Sequence, residues 1–138
     1  MFAKAEWAEI VEEKMFAYRD KGEYLVHRYV VMPDHIHVIL TPGPATTLER
    51  AAQLIKGGSS HAIGERFAAK FPVWQTGFAE HLIRGQADYD SHVRYIDMNP
   101  VRRGLVSLSE KYAFCAGSGK YRLDPWPVVS SGAQSPLI

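Results

Sequence analysis

Two histidines, His35 and His37, open the apolar run His-Ile-His-Val-Ile-Leu at residues 35–40. A strand alternates its faces with a period of two, so both imidazoles project from one side while Ile36 and Val38 project from the other. Two imidazoles on one rigid strand are half of a metal site. They are also at home as polar surface, and the spacing alone does not choose. Further along, Tyr95 and Asn99 lie four apart in a segment of helical periodicity and therefore stack on one flank. A phenol and a carboxamide placed so can simply pack and hydrogen-bond. Arg94, Arg102 and Arg103 surround them as the densest basic patch in the chain.

The elements that must carry these groups can be read in order. Residues 2–20 have Trp7, Ile10, Val11, Met15 and Tyr18 at helical spacing, with Glu6, Glu9, Glu12 and Glu13 elsewhere, and Gly22 as a stop. Strands follow at residues 24–32 and 35–41, punctuated by Pro33-Asp34. Thr46-Thr47-Leu48-Glu49 has the pattern of a capping box and opens a second helix with Leu48, Ala51, Ala52 and Ile55 on one face.

That helix is interrupted by Lys56-Gly57-Gly58-Ser59-Ser60. Glycine inside a helix costs about 1 kcal/mol against alanine, so the pair needs a reason. One reason is a break between two short helices. The other is close approach of a phosphate backbone, with Lys56, Ser59 and Ser60 as donors. Residues 72–84 are aromatic-rich and read as a long strand with an irregularity at Gly77, carrying Trp74, Phe78, His81 and Arg84. A short helix at residues 88–99 turns Tyr89, His92, Val93 and Ile96 inward, and Pro100 ends it. From about residue 117 the chain reads as an extended, Pro-rich tail, disordered over residues 128–138.

The totals bound the class. A chain of 138 residues suits one domain, residues 1–127, with a modest core. No apolar span approaches bilayer length and no signal peptide pattern opens the chain, so the expected compartment is the cytoplasm, with no membrane partner. Cys115 is the only cysteine, which excludes an internal disulfide and a thiolate metal cluster. A formal net charge of +1 does not announce a nucleic-acid binder, so any such role rests on local clusters of arginine and lysine.

Three segments settle the direction. Val-Met-Pro-Asp-His-Ile-His-Val-Ile-Leu from residue 31, Val-Trp-Gln-Thr-Gly-Phe-Ala-Glu-His-Leu-Ile-Arg from residue 73 and Arg-Tyr-Ile-Asp-Met-Asn-Pro-Val-Arg-Arg-Gly-Leu-Val from residue 94 resemble the single-tyrosine HUH transposases. The likeness is strongest to the REP-associated tyrosine transposases, and it runs in order from about residue 5 to 127, including a late Leu123-Asp-Pro-Trp-Pro. It implies an α+β, ferredoxin-like fold: an antiparallel sheet containing the histidine strand, with helices mainly on one face. Family members begin with a strand ahead of the first helix, whereas this chain opens on the helix, so the sheet is expected to lack its first strand.

The same resemblance implies that Tyr95 is a nucleophile, that His35 and His37 bind a divalent metal, Mg²⁺ or Mn²⁺, and that Asn99 takes the place of a third ligand borne on a helix. The implied reaction nicks and joins single-stranded DNA at hairpin or palindromic elements through a 5′-phosphotyrosine, by a monomer or homodimer. Lys56, Ser59, Trp74, Arg84, Arg94, Arg102 and Arg103 are then candidates for DNA contact. Such chemistry suits these residue types. A phosphodiester broken by a protein hydroxyl is stored as a phosphotyrosine and needs no external energy to be resealed. A free tyrosine hydroxyl is ionised in only about one molecule in a thousand at pH 7, so attack must be favoured by something else. A divalent ion held by neutral imidazoles and a carboxamide keeps its full charge for the phosphate. Two other readings remain at this point: a hairpin-binding remnant without catalysis, and a zinc hydrolase using His35, His37 and His81 with water as nucleophile.

Overall fold

Residues 24–42 fold into a β-hairpin because two β-branched and aromatic runs flank a two-residue connection. Strand β1 (Tyr24–Val31) pairs antiparallel with β2 (Ile36–Pro42), and the Met32 N–H donates to His35 O at 2.8 Å where the strands meet the connection. The computed structural model describes residues 5–32, 35–67, 83, 85–107 and 112–126. Among these the sheet has two strands and three helices pack on it: α1 (Ala5–Asp20), α2 (Leu48–Phe67) and α3 (Gln86–Arg102). The α+β class with an antiparallel sheet is as expected.

Register places the chemistry. β2 turns Ile36, Val38 and Leu40 into a core shared with α1 and α2, and turns Ile39 into a second core shared with α3. By alternation His37 lies on the α3 side. On β1 the pairing slips between Val26 and Arg28, so His27 is an extra residue in a bulge. Beyond it the strand is rephased: Arg28 and Val30 share the α3 side, opposite Ile39 and His37. Two helices thus cover one face and the third covers the other.

The first helix ends as the sequence predicts. Gly22 adopts φ 86°, and the Glu23 N–H donates to Tyr18 O at 3.2 Å while the Gly22 N–H donates to Arg19 O at 2.9 Å, a Schellman stop. One residue of α1 departs from its expected place. Glu12 is buried and receives hydrogen bonds from Tyr29 Oη and from Lys120 Nζ at 2.7 Å.

The helix α2 departs further. Its cap is Thr47, whose Oγ1 accepts from the Arg50 N–H at 3.1 Å, and the helix runs unbroken through Gly57 and Gly58. Gly58 is explained by packing: a Cβ there would come within 2.6 Å of the Tyr18 hydroxyl, so glycine lets α1 approach. Gly57 faces open space. Gly57→Ala should therefore stabilise the fold by about 1 kcal/mol, whereas Gly58→Ala should gain nothing or lose stability as Tyr18 is displaced. Urea unfolding of the two variants checks the contrast. A stabilised Gly58→Ala protein would contradict the packing account.

Residues 117–126 are not the extended tail expected from about residue 117; they belong to a docked segment, residues 112–126. Cys115 bridges to Val30, the Val31 N–H donates to Phe114 O at 2.8 Å, and the Asp124 N–H donates to Val26 O at 2.8 Å, so this segment lines the outer edge of β1. The Asp124 carboxylate accepts from the Val26 N–H at 2.9 Å and from Arg19 at 3.1 Å, which joins the segment to α1. Trp126 stacks on Tyr89 at 4.2 Å and joins it to α3. Residues 128–138 lie outside the described residues.

The bulge residue His27 is buried, with Nδ1 donating to Asp124 O at 3.0 Å and Nε2 accepting from the Thr41 hydroxyl at 2.8 Å. Burial outweighs these contacts and lowers its pKa. Below about pH 6.5 the unfolded chain binds a proton that the folded chain refuses, so His27 removes stability as pH falls through that value. Glu12, held above the usual carboxylate range by burial, acts with the opposite sign. The comparison that isolates His27 is therefore His27→Gln against the parent: the loss of stability between about pH 7 and 5 should be shallower in the variant. Equal slopes would contradict it.

Candidate active site

The helix α3 begins after Gly85, whose φ of 136° is glycine territory, and presents Ile96 to the second core with Tyr89 and Val93 beside it. This is the inward arc the sequence predicts. The end of α3 is different: Pro100 lies inside the helix, which continues to Arg102. A proline in the last turn removes one intrahelical donor, and the chain closes beyond it with the Arg103 N–H on Asn99 O at 3.1 Å and the Leu105 N–H on Pro100 O at 2.9 Å.

Position along the sheet is fixed by a two-pronged ion pair. Arg28 of β1 donates to both carboxylate oxygens of Asp97, each at 2.8 Å, and both side chains are about three-quarters buried. Asp97 lies between Tyr95 and Asn99, so the clamp sets the helix turn that bears both. Sequence reasoning missed it because the partners are 69 residues apart and nothing local marks either one.

The turn so held faces the histidines. The Tyr95 and His37 rings meet edge to face with centroids 5.4 Å apart, and the Asn99 carboxamide lies 3.4 Å from His35 Nε2. Tyr95 is half exposed, whereas Asn99 and His37 are buried. Arg102 folds back over Tyr95: its guanidinium carbon is 4.2 Å from the ring centroid, and it donates to Tyr95 O at 2.8 Å. His92 stands at the back of the site, its ring 6.5 Å from that of His37 and its Nδ1 3.0 Å from Asp88 O and 3.2 Å from the Asp88 carboxylate. The sequence put His92 on the inward arc but not at the site. Its spacing three residues before Tyr95 was the available signal.

Burial pushes the His37 pKa down to about 4, with the neighbouring His92, His35 and Arg102 adding to the effect. His37 is therefore a neutral imidazole at physiological pH, the form that binds a metal. A divalent ion fits the other donors as well. Neighbouring ligands of an octahedral ion at about 2.1 Å lie about 3 Å apart, and rotation of the Asn99 amide by a half turn brings its oxygen towards His35 Nε2. Among the described residues no group of three or more His, Cys, Asp or Glu side chains is placed to hold a metal, and the further donor beside His35 is the Asn99 carboxamide.

The remaining candidates divide. Arg94, Arg102 and Arg103 are exposed on and just after α3, beside Tyr95. Lys56 and Ser59 are on α2, across the sheet, and Ser59 is completely buried in the first core's helix interface. Ser59 therefore presents no hydroxyl to a DNA phosphate. Trp74, Phe78, His81 and Arg84 lie outside the described residues.

An antiparallel sheet with His37 on β2 and His35 just before it is thus faced by a helix carrying Tyr95 and Asn99. The family model described as "Transposase IS200 like" matches residues 1–99, and the chain belongs to that family. Among its relatives are the REP-associated tyrosine transposase of Escherichia coli K12, 36% identical over 90 residues, and a putative REP-associated tyrosine transposase of Haemophilus influenzae, 24% identical over 149 residues. The matches cover 64% of this chain and 52% of the first relative, and 90% of this chain and 78% of the second. The chain thus spans about half the length of the E. coli protein. A solved REP-associated tyrosine transposase bound to a REP hairpin superposes with a TM-score of 0.69 at 27% identity, covering 92% of this chain and 78% of that one. Among the described residues no helix is long and apolar enough to cross a membrane.

Proposed function

We propose that this chain is a metal-dependent DNA transesterase that nicks and rejoins single-stranded DNA beside a hairpin, with Tyr95 as nucleophile. The observation that carries the reading is the meeting of Tyr95 with His37, and of Asn99 with His35, across the interface of α3 and β2. The hairpin as target rests on the relative of solved structure, which is bound to one.

In the proposed step the Tyr95 hydroxyl attacks the phosphorus in line with the 3′-oxygen. The Oη–P bond forms, the P–O3′ bond breaks, the phenolic proton departs and the 3′-oxygen takes one up. The phosphorus keeps its oxidation state, so the step runs backwards to reseal the strand. His35, His37 and Asn99 would hold Mg²⁺ or Mn²⁺, which when bound polarises the phosphate and offsets the added negative charge of the transition state. Arg102 holds the Tyr95 ring against the site, and the Arg28–Asp97 clamp holds the turn. The test is a denaturing gel of end-labelled hairpin oligonucleotides with single-stranded flanks, incubated with protein in Mn²⁺ or in chelator. A covalent band that requires the metal supports the proposal. Tight binding with no band in either condition would instead make the chain a hairpin-binding protein without catalysis.

A further inference from the structure

Among the described residues the exposed large hydrophobic side chains are Tyr95, Met98 and Leu105, and all three lie at one end of α3. Such side chains are normally scattered, so their grouping beside a nucleophile asks for a ligand. The sequence of α3 orders them. Arg94, Met98 and Arg102 are spaced i, i+4, i+8 and form one line along the helix, adjacent to the line of Ser91, Tyr95 and Asn99. Arg94 and Arg102 are exposed and Met98 is 41% exposed. The line therefore alternates cation, apolar thioether, cation. It starts at the guanidinium that lies 4.2 Å over the Tyr95 ring.

Its length is about 12 Å, enough for a few nucleotides. Charge at the ends and an apolar, polarisable group between them match a strand whose phosphates are spaced along its backbone and whose bases offer flat apolar faces. A second copy of this chain fits less well, because two arginines about one methionine would meet themselves across a symmetric contact. We propose that the line Arg102–Met98–Arg94 is the track for the unpaired nucleotides next to the scissile phosphate, with Met98 against a base and the two arginines on the flanking phosphates. This rests on the function proposed above and adds to it the path of the strand and the role of Met98.

The experiment compares two synthetic DNA probes in chelator, where no cleavage intervenes: a blunt hairpin, and the same hairpin with a single-stranded extension of about four nucleotides. The quantity read is the ratio of their affinities. The parent should prefer the extended probe, and Met98→Ala should lower that preference roughly fivefold, while Met98→Leu should retain most of it. With an extension made of abasic sites, Met98→Ala should cost nothing further, because the contact is already gone. Three results would overturn the track: an unchanged ratio in Met98→Ala, an equal loss on basic and abasic extensions, or a change in self-association with both affinities intact, which would make the line a contact between copies. If the parent binds neither probe, the proposed function itself fails. If it binds both equally, only the track does.

Discussion

Tyr95→Phe is expected to abolish the covalent product, a loss of roughly a thousandfold or more in adduct formation, while hairpin affinity stays within about twofold. The expectation follows from what the substitution leaves in place. The ring still meets His37 and still lies under Arg102, whose hydrogen bond goes to the main-chain oxygen of residue 95 and not to the phenol. Only the attacking oxygen is removed. A gel that separates bound from covalently joined DNA reads both quantities. Adduct formed by Tyr95→Phe at the parent's rate would show that another group attacks.

The second large effect is expected at His37. His37→Ala should slow adduct formation by roughly a thousandfold at saturating DNA and raise the Mn²⁺ concentration needed for half-maximal reaction, with hairpin binding in chelator retained. Burial above all holds this imidazole neutral, so it could bind a metal without first losing a proton. Asn99→Ala should act in the same direction and less strongly, since it removes one neutral oxygen donor. Manganese binding followed by electron paramagnetic resonance, without DNA, separates loss of metal from loss of reaction. Unchanged manganese binding in His37→Ala would remove the metal assignment.

Much of this site was legible because its parts obey short-range rules. Period-two alternation put His35 and His37 on one side of a strand, and period 3.6 put Tyr95 and Asn99 on one side of a helix. Both statements hold in the fold. The hairpin bounds were legible for the same reason, since apolar runs and a Pro-Asp connection mark them. What joins the two halves was not legible. The bulge at His27 changes which residues of β1 face α3, and only the partner strand shows it. The Arg28–Asp97 clamp and the contacts of Asp124 with Arg19 and Val26 are made between residues far apart in the chain.

Local rules also misled where tertiary packing overrode them. Two glycines in succession read as a break in α2 or as room for a phosphate backbone, yet Gly58 lets Tyr18 pack against an unbroken helix. Pro100 read as a stop, but a proline so close to the end gives up one hydrogen bond and the helix continues to Arg102. Glu12 read as surface because it is charged, and its two partners, Tyr29 and Lys120, come from β1 and from residues 112–126. From about residue 117 that segment read as a tail because proline and glycine dilute its apolar pattern. Its aromatic residues nevertheless find large partners: Tyr121 stacks on Phe16 at 4.3 Å and Trp126 on Tyr89 at 4.2 Å.

The central claim is that Tyr95 becomes joined to the 5′ side of a cut strand. The most direct measurement is mass spectrometry of the adduct formed with Mn²⁺ on a hairpin oligonucleotide, after digestion of both protein and DNA. A nucleotide joined by its 5′-phosphate to the peptide containing Tyr95 is expected, with fragment ions locating it on that tyrosine. A nucleotide on any other residue, or a cut strand with no protein attached, would contradict it.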